Sequence, residues 1–106
     1  MMILKETTVF TKQAQKLLDR ESYRLLQLRL VAEPDAGDLI QGTGGLRKIR
    51  WEGAGRGKRG GVQVIYYWAR RDAVILLLLI YSKTQQDDLT AQQKALLKKL
   101  IQEEYP

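Results

Sequence analysis

Seven consecutive apolar residues, Val74 to Ile80, constrain this chain more than any other feature. The run mixes β-branched residues with leucine and is far shorter than the roughly 20 residues that span a bilayer. Arg70-Arg71-Asp72 makes a tight turn into it, and Tyr81-Ser82-Lys83 follows it. A strand apolar at every position is covered on both faces. The rest of the chain must therefore supply a sheet around this strand and layers to pack on it.

Two segments read as its neighbours. Val62 to Trp68 alternates, with Val62, Val64, Tyr66 and Trp68 on one side and Gln63, Ile65 and Tyr67 on the other. Leu46 to Trp51 sets Lys48 and Arg50 on one face and Ile49 and Trp51 on the opposite one. An opening strand is predicted at about Ile3 to Val9. Phe10, Ala14, Leu17 and Leu18 then fall on one helical face, and Tyr23, Leu26 and Leu30 repeat that spacing, with a break at Arg20-Glu21-Ser22. Pro34 and Asp35-Ala36-Gly37-Asp38 end the second helix. Thr90 with Gln93 matches a capping box, and Leu97, Leu100 and Ile101 supply the apolar stripe of a last helix.

The order is β-α-α-β-β-β-α, and 106 residues make one domain, 1–106. The predicted class is α+β: a small antiparallel meander, two N-terminal helices on one face and a C-terminal helix. With the helices gathered on one face, the face of Lys48, Arg50 and Gln63 would stay at least partly open. Tyr66, Trp68 and Trp51 read as core on the helix-covered side.

The chain has neither histidine nor cysteine. This excludes a Ser-His-Asp triad, a histidine-based nuclease, a thiol nucleophile and a thiolate or imidazole metal site. No metal and no cofactor are expected, and any catalysis must use Lys, Arg, Asp, Glu, Tyr or backbone groups. The N-terminus, Met1-Met2-Ile3-Leu4-Lys5-Glu6, has the look of neither a secretion signal nor a membrane anchor, so a cytoplasmic place is expected.

The net charge is +6, and its distribution matters more than its size. From Leu39 to Arg71 eight bases face one acid, Glu52, a local +7 against −1 for the remainder. Eight of the nine glycines lie between Gly42 and Gly61, inside the same block. Such a block suits a polyanion-binding surface. It also suits a solvated sheet edge guarded by Lys and Arg.

Lys48 and Arg50 stand ~7 Å apart along one strand. The loop bases Arg56, Lys58 and Arg59, with Arg47, would surround them, and Lys83 lies just beyond the apolar strand. Tyr67 and Tyr81 are available for base stacking. RNA carries its own nucleophile, the 2′-hydroxyl. An enzyme need only remove that proton, stabilise the phosphorane and protonate the leaving oxygen. A lysine crowded by cations can act as base, while arginine can only stabilise charge. These residues by themselves do not separate an RNase from a plain RNA-binding module.

The run Gln41-Gly42-Thr43-Gly44-Gly45-Leu46-Arg47-Lys48-Ile49-Arg50 resembles the RelE/HigB superfamily of bacterial type II toxins, with the HigB branch nearest. So do Gly57-Lys58-Arg59-Gly60-Gly61, Val64-Ile65-Tyr66-Tyr67 and Ile80-Tyr81-Ser82-Lys83, in the same order, over roughly Thr8 to Ile101. The resemblance implies a RelE-like fold and a toxin that cuts mRNA in the ribosomal A site and arrests translation. It implies a cognate antitoxin as partner, often a helix-turn-helix protein like HigA. Family roles carried over by position make Lys48 the base or electrostatic centre, Arg50 the second basic residue of its strand, and Lys83 an acid or phosphate holder. Lys58 and Arg59 would grip the RNA backbone.

One departure concerns the arginine that the family usually has just after the glycine loop: this chain has Gln63. Glutamine can donate a hydrogen bond but brings no charge, so activity would be weakened unless Arg59 substitutes. The family tyrosine near the last helix has no clear counterpart, since Leu89 falls about there; Tyr81 or Tyr67 would replace it. Two other functions fit the resemblance: a toxin of the same scaffold that inhibits DNA gyrase, and a degenerate toxin that only binds its antitoxin.

Overall fold

The computed structural model describes residues 1–53 and 61–106. Among these, β1 (Ile3–Glu6), α1 (Thr8–Leu17), α2 (Arg20–Ala32), β2 (Asp38–Leu39), β3 (Leu46–Trp51), β4 (Val62–Ala69), β5 (Val74–Ser82) and α3 (Ala91–Glu104) follow in order. A single turn of 3-10 helix, Arg70–Asp72, joins β4 to β5. The five strands form one sheet in the order β1-β5-β4-β3-β2. The predicted α+β class and element order hold, with the two-residue β2 added at one edge.

The first strand is shorter than its β-branched sequence suggests. The Thr7 side chain accepts a hydrogen bond from the Phe10 amide at 3.0 Å, and this N-cap draws Thr8 and Val9 into α1. The break between the first two helices likewise falls earlier than predicted, because Asp19 caps Ser22 at 2.7 Å and Arg20 already lies in α2. The sheet also departs from a pure meander: β3, β4 and β5 run antiparallel, while β1 joins the far edge parallel to β5, Ile3 opposite Val74.

The helices do not share one face, contrary to expectation. Phe10, Ala14, Leu18, Leu26 and Leu30 from the α1/α2 layer pack on Val62, Val64, Tyr66, Ile75, Leu77 and Ile80. On the other face α3 contributes Ile101, with Leu97 and Leu100, over Leu46, Ile65, Leu76, Leu78 and Tyr81. The reason is the apolar run itself, which leaves leucine on both sides of β5 and would expose roughly 25 cal/mol for each Å² if one side stayed bare. Inside that run the register slips: Ile65 pairs with Leu79 but Tyr66 with Leu77, so Leu78 is an extra residue, a β-bulge.

The capping box predicted for the last helix is present in full, between Thr90 and Gln93. Tyr66 was expected in the core and is fully buried there. Its hydroxyl accepts from Gly37 N at 2.8 Å and donates to the Pro34 carbonyl at 2.8 Å, tying the α2–β2 connection to β4. Gly37 permits this approach: a Cβ there would stand 2.8 Å from the Tyr66 ring and 2.9 Å from the Lys48 carbonyl.

Candidate nucleic-acid interface

β3 projects Lys48 and Arg50 on the α3 side of the sheet, as the alternation predicts, since Ile49 and Trp51 join the opposite core. The register sets Arg50 beside Gln63, and Gln63 beside Tyr81, so these three side chains make one row across β3, β4 and β5. Lys48 belongs to the next row, opposite Ile65. Arg50 is exposed and Lys48 half-buried, whereas Gln63 keeps only 8% of its surface. α3 and the segment leading into it cover much of the face that was expected to be open.

The rest of the basic block is divided. Arg47 sits on the α1/α2 side, where its guanidinium donates to the Gly37 carbonyl at 2.7 Å and the Asp35 carbonyl at 3.3 Å. It braces the loop that Tyr66 also holds, and it does not join Lys48. Arg70 and Arg71 lie at the far end of β4, Arg70 with its guanidinium 4.9 Å from the Trp68 ring centroid. Lys83 is exposed in the turn that follows β5. Arg56, Lys58 and Arg59 lie outside the described residues.

Neither tyrosine expected to stack on bases stands open. Tyr81 is 3% exposed, inside the α3-side core, and among the described residues its hydroxyl has no hydrogen-bond partner. Tyr67 is half-buried, its ring centroid 5.9 Å from that of Tyr105 at the C-terminal end of α3. The two buried hydroxyls of this sheet therefore differ. Tyr66→Phe should cost about 1–3 kcal/mol, because it strands a buried Gly37 amide, while Tyr81→Phe should be neutral or stabilising. Chemical denaturation of both variants checks this; equal losses would refute it.

One residue of the site escaped the sequence reading. Asp88, just before α3, places Oδ1 3.5 Å from Lys48 Nζ. The same oxygen accepts the Leu89 amide at 2.9 Å. That amide, and then the Lys48 charge, hold the Asp88 carboxyl below the usual aspartate range. So the nearest charge on Lys48 among the described residues is an anion; of the cations expected to crowd it, Lys58 and Arg59 lie outside those residues. Asp87-Asp88 directly precedes the last helix, and no local pattern links it to a strand 40 residues earlier.

Burial pushes up the hydroxyls of Tyr23, Tyr66, Tyr81 and Tyr105; the Glu6 carboxylate adds to this at Tyr23, and Asp88 at Tyr81. A phenol whose folded-state pKa is raised stabilises the fold below its unfolded value, and that contribution is lost as pH rises past it. With no histidine or cysteine, stability should be nearly flat from about pH 6 to 9 and fall above about pH 10. Denaturant midpoints along that series, with tyrosinate absorbance, test it. A midpoint as high at about pH 11 as at neutrality would refute it.

No family model matches the chain. Among solved structures, an E. coli RelE toxin carrying two arginine-to-alanine changes, in the free state, superposes with a TM-score of 0.64 at 13% identity, over 94% of this chain and 97% of that one. The isolated E. coli RelE toxin gives 0.61 at 14% identity, over 94% and 99%. The intact E. coli RelBE toxin–antitoxin complex gives 0.61 at 16%, over 77% of this chain and 96% of the matched one.

Proposed function

We propose that this chain, which has the fold of the RelE toxins, is itself the toxin of a type II toxin–antitoxin pair and cleaves mRNA on the ribosome. The observation that carries the reading is the pair Lys48 and Arg50 on one sheet face, beside the row Arg50, Gln63, Tyr81. In the proposed reaction a water molecule takes the proton of the 2′-hydroxyl, and the 2′-oxygen attacks the adjacent phosphorus. The bond from phosphorus to the 5′-oxygen breaks, that oxygen takes up a proton, and a 2′,3′-cyclic phosphate remains. Lys48 and Arg50 offset the charge gathered on the phosphorane, Lys83 supplies or holds a proton from the end of β5, and Gln63 donates a hydrogen bond. Arg56, Lys58 and Arg59 would hold the RNA backbone. The reaction draws on no cofactor or metal ion.

The partners in this reading are mRNA in the ribosomal A site, the ribosome, and a cognate antitoxin of the helix-turn-helix, HigA-like kind. Among the described residues no helix is long and apolar enough to cross a membrane; the proposed place of action is the cytoplasm, where translation runs. A second reading, a toxin that only binds its antitoxin, is favoured by one observation: Gln63 is uncharged and nearly buried where the family usually has arginine.

The test is expression without antitoxin, with 5′ ends mapped on an abundant translated transcript and on a copy lacking its start codon. Cuts confined to the translated copy are expected. Growth arrest with intact transcripts and DNA damage would replace the nuclease with a gyrase-type inhibitor. Growth without arrest would leave the antitoxin-binding reading.

A further inference from the structure

We propose that Asp88 is an anionic latch on Lys48, holding the ammonium until an RNA phosphate takes the carboxylate's place. This rests on the reading of the Lys48 face as a phosphate site and concerns the regulation of that site.

The carboxylate is placed by architecture. Leu89, the next residue, is 6% exposed and anchored in the α3-side core with Tyr81 and Ile101. The Asp88 carbonyl accepts Gln86 Nε2 at 2.8 Å, and that nitrogen also donates to Gln93 Oε1 at 2.9 Å. Gln93 Oε1 accepts the Thr90 amide at 3.0 Å, so the segment before α3 is bound into the capping box of the helix. Asp88 therefore sits over Lys48 only while the first turn of α3 is seated.

The hold is firm in geometry and weak in energy. The Lys48 and Asp88 side chains keep 35% and 58% of their surface, and ion pairs at such exposure contribute little. A phosphodiester carries the same single charge and would meet Arg50 as well as Lys48, so it can displace the carboxylate. Beneath the strap lies the Tyr81 hydroxyl, buried without a partner among the described residues. A hydroxyl that gives up water on folding and regains no bond calls for an explanation. Withdrawal of Asp88 and Leu89 would let it donate to the arriving phosphate. The site would thus be closed by its own acid at rest and completed by the substrate.

The experiment uses the full chain and a fluorescein-labelled 2′-O-methyl RNA oligonucleotide, which binds but cannot be cut, read by anisotropy at low and at physiological salt. In Asp88→Asn the amide oxygen can still accept the Leu89 amide, so the strap keeps its fold while the charge goes. At low salt D88N should bind about three- to fivefold tighter than wild type, the size of one charge pair near 4 Å in water. Asp87→Asn, the same change one residue earlier, should gain less than about twofold. Lys48→Ala should bind more weakly, and adding D88N to it should restore nothing.

Equal affinity of D88N and wild type would overturn the latch. So would an equal gain in D87N, or a gain that survives in the Lys48→Ala background. If Lys48→Ala binds as well as wild type, or wild type does not bind at all, the phosphate-site reading itself falls and the latch with it. Weak binding by Lys48→Ala with no effect of D88N removes the latch alone.

Discussion

Alanine at both Lys48 and Arg50 is expected to slow cleavage of a translated message by about 10³-fold or more while leaving the fold intact. Removing a single preorganised donor from a developing oxyanion costs about 10²–10³, and in the proposed reaction the two cations share one phosphate, so their losses will not simply multiply. Neither side chain is in a core: Arg50 is exposed and Lys48 half-buried at the sheet face. The thermal midpoint should therefore move by only a few degrees, as surface substitutions usually shift stability by about 0.5 kcal/mol or less. Single-turnover cleavage on programmed ribosomes, measured beside a melting curve, separates the two quantities. A double variant that still cuts within about tenfold of wild type would remove Lys48 and Arg50 from the chemistry.

Phe10→Ala should have the largest effect on stability. Phe10 is fully buried at the start of α1, where it meets the Tyr23 ring of α2 at 6.0 Å between centroids and the strand residues of the larger core. Truncating a buried phenylalanine costs about 3–5 kcal/mol, against a total of roughly 5–15 for a domain. At about 4–8 °C per kcal/mol the melting temperature should fall by roughly 15–30 °C. Val9, one residue earlier, is 54% exposed, so Val9→Ala should change stability by about 0.5 kcal/mol at most. A loss of under about 5 °C in Phe10→Ala would mean that α1 is not part of the cooperative core.

What could be read in the sequence followed from periodicity. Alternation in Leu46 to Trp51 and Val62 to Trp68 assigns each residue to a face, and the structure seats Lys48 and Arg50 opposite Ile49 and Trp51 accordingly. Helical spacing likewise named Phe10, Ala14, Leu26 and Leu30, the residues that pack on the sheet. Local cues stop where contacts are distant. Arg47 belongs to the basic run by sequence, yet strand alternation turns it away from Lys48 and toward the Gly37 carbonyl. Tyr81 looked like a free aromatic because nothing near it in sequence shows that Leu89 and Ile101 will cover it. The Asp88 contact to Lys48 depends on the path of the whole strap. Val74 to Ile80, apolar throughout, displays no phase at all, so the slip at Leu78 left no mark in the pattern.

That slip has a wider effect. Leu78 and Leu79 both turn toward α3, after which Ile80 returns to the α1/α2 core and Tyr81 to the Lys48 face. Strict alternation onward from Leu77 would have exchanged the last two, sending an isoleucine to the basic face and a phenol into the core. The surplus leucine thus resets the strand, and the two ends of β5 answer to separate demands. Upstream of residue 78 the spacing serves packing against α1; downstream it serves the polar row. Because Leu76 to Leu79 are identical, a chain that lost any one of them would lose only the kink: alternation would become strict, and Ile80 and Tyr81 would keep their faces.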